Sequence, residues 1–88
     1  MATIRGMKDE VNYLITEIID DCNTFIAYNS DKRENAVKLI EEAVDLRNIM
    51  IGKINNTDNY TSKYFKDLRK QLEKEADSIF EKLRKLIK

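Results

Sequence analysis

The chain has 88 residues, 16 Lys+Arg against 16 Asp+Glu, no His, no Pro, no Trp, one Cys and two Gly. That length supports one domain, residues 1–88. The composition excludes an internal disulfide, a Cys-built zinc site, His-based acid–base chemistry and a turn-rich β architecture.

Met7, Val11, Leu14, Ile15, Ile18, Cys22, Phe25 and Ile26 recur at spacings of three and four. This period predicts an amphipathic helix over about 7–28. Asn29-Ser30-Asp31 follows with turn and cap chemistry. Ser30 or Asp31 can accept a bond from a first-turn N–H, and Glu34 stands where a capping box needs it. A second helix, over about 32–54, carries Ala36, Leu39, Ile40, Ala43, Val44, Leu46, Met50, Ile51 and Ile54 on a broad apolar arc. That width suits contact with two neighbours. Gly52 reads as a left-handed cap near its end, although the stripe continues at Ile54.

Residues 55–61 form a polar loop. Thr61 reads as the N-cap of a third helix over about 62–87, with Tyr60 and Phe65 spaced as a hydrophobic staple. Phe65, Leu68, Leu72, Ala76, Ile79, Leu83 and Leu86 repeat near a 3.5-residue period, and Phe80 and Ile87 widen the stripe on one side. Matched helix lengths and short connections predict an all-α fold, an antiparallel up-down-up three-helix bundle. The coiled-coil-like period of the third helix leaves a dimer open.

The neutral total conceals a gradient. Residues 1–60 carry seven Lys/Arg and eleven Asp/Glu, whereas residues 61–88 carry nine and five. One reading is a basic last helix docked on two acidic ones. The alternative is an RNA- or ribosome-associated protein using Lys82, Arg84, Lys85 and Lys88. The basic residues spread widely around the third helix, however, interleaved with acids. Pairs such as Lys63–Asp67, Arg69–Glu73 and Glu81–Lys85 favour a solvated face.

Arg47 is the charge that this division leaves over. It falls at about the centre of the second helix's apolar arc, level with Asn12 of the first helix and Arg69 of the third. A guanidinium there either packs its stem and pairs its head, or meets a ligand or partner. Ile49 falls outside the arc. With Tyr60, Tyr64 and Ile54 it forms the candidate exposed patch of a partner site. The pairs Glu17/Asp21 and Glu41/Asp45 read as solvated faces, and Cys22 as a small buried hydrophobe. No catalytic, cofactor or metal constellation is expected. The polar N-terminus lacks a signal-peptide core, and no apolar run approaches the 18 residues of a membrane span, so a cytoplasmic protein is expected.

The segments IEEAVDLRNIM (Ile40 to Met50) and ADSIFEKLRKL (Ala76 to Leu86) resemble parts of small, uncharacterised helical proteins of Bacteroidetes-type bacteria. The resemblance implies a bacterial cytosolic setting and carries no activity or site residue. The functional expectation is a non-catalytic protein-interaction or structural module, with a protein partner or a second copy contacting Arg47, Ile49, Tyr60 and Tyr64.

Overall fold

The computed structural model describes residues 4–56 and 61–87. Three helices fill them: α1 (Ile4–Tyr28), α2 (Arg33–Asn55) and α3 (Ser62–Ile87). A 3₁₀ turn, Ser30–Lys32, joins α1 to α2. These bounds lie within three residues of the predicted ones.

Side-chain pairs between helices set their directions. Arg47 of α2 bonds Asn12 of α1, and Lys82 of α3 meets Glu42 of α2. Lys53, late in α2, bonds Gln71 of α3. With Glu10 paired to Arg69, α1 and α3 run parallel and α2 runs against both. The result is the expected up-down-up bundle, a rod of 46 × 17 × 17 Å.

Among the described residues each helix buries six side chains. They are Met7, Val11, Ile15, Ile18, Cys22 and Phe25 from α1; Ala36, Leu39, Ala43, Leu46, Met50 and Ile54 from α2; Phe65, Leu68, Leu72, Ala76, Ile79 and Leu83 from α3. Spacings of three and four keep each set on one face of its helix, and the three faces meet in one cluster. No buried side-chain nitrogen or oxygen among the described residues lacks a partner, so the core carries no polar penalty.

The helix ends differ from the sequence reading in two places. No side-chain cap starts α2: Ser30 and Asp31 lie inside the 3₁₀ turn, which winds directly into the helix. Asn29 instead closes α1, its amide Nδ2 donating to the Phe25 carbonyl at 3.1 Å. Gly52 is not a left-handed cap. No described glycine has positive φ, and α2 continues to Asn55, with the Asn56 N–H donating to the Gly52 carbonyl at 3.0 Å. Burial of Ile54 explains the extension, because the helix must continue to place that side chain in the core. The start of α3 is as expected: the Thr61 Oγ1 accepts from the Tyr64 N–H at 3.1 Å. Tyr60, the other half of the expected staple, lies outside the described residues.

Candidate functional site

Among the described residues, Arg47 lies apart from Ile49 and Tyr64, and Tyr60 lies outside them. Arg47 is exposed, not central to the buried face. The core uses only one side of α2's wide apolar arc, and Arg47 falls on the flank beside α1. Its Nε donates to Asn12 Oδ1 at 2.8 Å and its Nη1 to Asn48 Oδ1 at 3.4 Å. The stem follows the helix surface while the head stays in water, so no buried charge has to be compensated. Val44, on the same flank, is 39% exposed for the same reason.

Ile49 and Tyr64 lie on the opposite flank of α2, toward α3. Ile49 is 53% exposed beside Leu46, Glu75 and Ile79. Tyr64 is half-buried. Its ring meets Phe65 edge-on at 6.0 Å, and its hydroxyl donates to the Lys53 carbonyl at 3.3 Å. Tyr64 therefore closes the end of the bundle. Ile54, expected beside it in the patch, is fully buried.

Two of the four residues of the basic cluster pair with carboxylates. Lys82 Nζ lies 2.7 Å from Glu42, and Arg84 pairs with Glu81 one turn back. That pairing holds the Glu81 carboxyl below its ordinary value. Lys85 is exposed, and Lys88 lies outside the described residues. The Arg69 guanidinium grips both oxygens of Glu10, at 2.8 and 2.9 Å, across the helices; Glu73, expected as its partner, acts only as a weaker nearby charge. Three α3 cations are thus paired, while Lys63, Lys66, Lys70, Lys74 and Lys85 stand exposed around the helix.

The most apolar concavity is one that no single stretch of sequence reveals. Where α1 and α3 end side by side, a groove of about 390 Å³ opens between them. Phe25, Tyr28, Phe80, Leu83 and Ile87 supply its apolar wall, with Asp21, Thr24, Asn29 and Arg84 around them. Tyr28 is 84% exposed and Ile87 64%. Phe25 and Leu83 belong to the core, so the groove is the core's own edge left uncovered. The sequence signals existed separately: Phe80 and Ile87 widen one stripe, and Tyr28 flanks the other. Joining them requires the parallel α1–α3 register.

Two titratable groups of α1 are shifted from their ordinary values. Cys22 is buried, and burial followed by the nearby Asp21 charge pushes its thiol above the ordinary value, which keeps it protonated and non-nucleophilic. Tyr13 is exposed and bonded to Glu17, which raises its hydroxyl likewise. No three His, Cys, Asp or Glu side chains among the described residues converge as metal ligands would. No described helix is long and apolar enough to cross a membrane. No protein-family model, curated protein or solved structure matches the chain.

Proposed function

We propose that this chain is a non-catalytic protein-interaction module. The observation that carries the reading is the open apolar groove at the α1–α3 end, where three aromatic and two aliphatic side chains meet. Apolar side chains in a concavity gain free energy when a partner removes them from water, at roughly 25 cal/mol per Å². Three aromatic rings and two aliphatic side chains at one site are the material from which interface anchors are made. The reading includes a reducing, cytosolic setting, which the buried free thiol of Cys22 supports.

Affinity purification of the tagged chain at low and high salt tests the reading. The expected result is a stoichiometric protein partner that survives nuclease treatment and persists in part at high salt. Nuclease-sensitive recovery with ribosomes would favour the RNA-associated alternative. Recovery of the chain alone under both conditions would contradict the reading.

A further inference from the structure

We infer that the α1–α3 groove receives a short amphipathic helix with basic flanks from another protein. The inference rests on the interaction-module reading and specifies its surface and partner.

The flanks of the groove are acidic toward the middle of the bundle. On α1, Glu17, Asp21, Thr24 and Tyr28 follow one another at spacings of three and four, so the groove-lining face continues into Glu17. On α3, Asp77 stands seven residues before Arg84 on the groove-lining face. Neither Asp21 nor Asp77 has a cation within ion-pair distance among the described residues. Of the basic groups at this end, Arg84 pairs with Glu81 and Lys32 Nζ donates to the Leu86 carbonyl at 2.9 Å, while Lys85 stands exposed one residue beyond Arg84. An occupant thus meets apolar walls at the end of the furrow and uncompensated carboxylates along it.

The length of the furrow suits one helix. Its lining on α1, from Asp21 to Tyr28, spans about two turns, roughly 10 Å, and the same helix face continues one turn further to Glu17. A partner helix of that length presents apolar residues at i, i+3, i+4 and i+7 to Phe25, Phe80, Leu83 and Ile87. Lys or Arg on its flanks then reach Glu17, Asp21 and Asp77. A second copy of this chain fits less well. A stable dimer buries about 800 Å² per partner and uses some 20–30 residues a side. Nine residues line this groove. A two-fold contact along the furrow would also crowd its carboxylates against their own copies.

The test uses two synthetic 14-residue amphipathic peptides sharing one Leu stripe, flanked by Lys in one and Glu in the other. Fluorescence anisotropy against the full chain should show saturable binding of the Lys peptide, weakened by salt, and at least about tenfold weaker binding of the Glu peptide. Ile87→Asp and Tyr28→Ser should each weaken the Lys peptide about tenfold at an unchanged melting temperature. Ile87→Asp adds negative charge, so general attraction of a basic peptide would instead strengthen. Asp21→Lys with Asp77→Lys should reverse the preference between peptides, and Ile49→Asp should leave it unchanged. Equal binding of both peptides, no saturable binding, or indifference to Ile87→Asp would overturn the assignment. A dimer in sedimentation that Ile87→Asp dissolves would also overturn it, in favour of a second copy. A partner recovered by affinity purification but released by Ile49→Asp, and not by Ile87→Asp, would leave the module reading standing and reject this groove.

Discussion

At the end of the bundle where α1 begins, Met7, Ile54 and Phe65 are all but sealed from solvent. Tyr64 is tied to the end of α2, Arg69 clamps Glu10, and the Arg69 Nη2 also lies 3.8 Å from the Met7 sulfur. At the other end the core runs into an open groove, and Tyr28 and Ile87 lie largely in water. The two ends use the same types of side chain. The difference lies in what crosses over them. One has an aromatic residue beside a capped helix start and a bidentate ion pair between helices. The other has a 3₁₀ turn without a side-chain cap, a single Lys32 Nζ bond to the Leu86 carbonyl, and beside the groove an ion pair confined to α3. Apolar side chains left in water at that end contribute less to stability than the sealed ones at the other.

The sharpest way to break this comparison is to remove one large apolar residue from each end. Phe65→Ala should cost about 3–5 kcal/mol in urea unfolding, the loss of a buried ring plus its cavity. Ile87→Ser should change stability by less than about 0.5 kcal/mol, because its side chain is already hydrated. Similar losses at both sites would erase the distinction. The helix starts give a smaller contrast. Thr61→Ala at the closed end should cost about 1 kcal/mol, the value of its bond to the Tyr64 N–H. Asp31→Ala at the open end should cost only a few tenths, since no side-chain cap bond starts α2 there.

Gly52→Ala should stabilise by about 0.4–1 kcal/mol, because the site is helical and a Cβ there meets nothing within 4 Å. A loss would mean that α2 does not run through Gly52 to place Ile54. The smallest effect is in pH. The Cys22 thiol is raised in the folded chain, by burial first and Asp21 second. Its contribution to stability is complete below the unfolded thiol value, and is lost as pH rises from about 8.5 toward the folded value. Thermal melts in this range should therefore fall more steeply for the wild type than for Cys22→Ala. Parallel curves would show that Cys22 is more accessible than the packing indicates.

The fold was legible because its signals are local and repeated. The stripes of α1 and α3 name all of their buried residues, and Thr61 marks the start of α3 through chemistry one turn long. Α2 was harder. Its arc includes Ile40, Val44, Arg47 and Ile51, and only packing decides which side of so wide an arc turns inward. For that reason Arg47 looks central in sequence and stands exposed, held by Asn12. Gly52 looked like a stop because the residue type allows a left-handed turn; burial of Ile54 overrides that preference. The groove was the least legible feature. It is made by residues some 60 positions apart, Tyr28 and Ile87, on two helices not adjacent in the chain. Periodicity describes each helix alone and cannot supply the register between them.

The most direct test of the account is photo-crosslinking in cells that express the chain, with the reactive side chain placed at Tyr28 or at Tyr13. Both positions are exposed and both lie on α1, but only Tyr28 lines the groove. The account predicts a discrete protein adduct from position 28 that position 13 does not give and that Ile87→Asp removes. No adduct from position 28, or the same adducts from both positions, would contradict it.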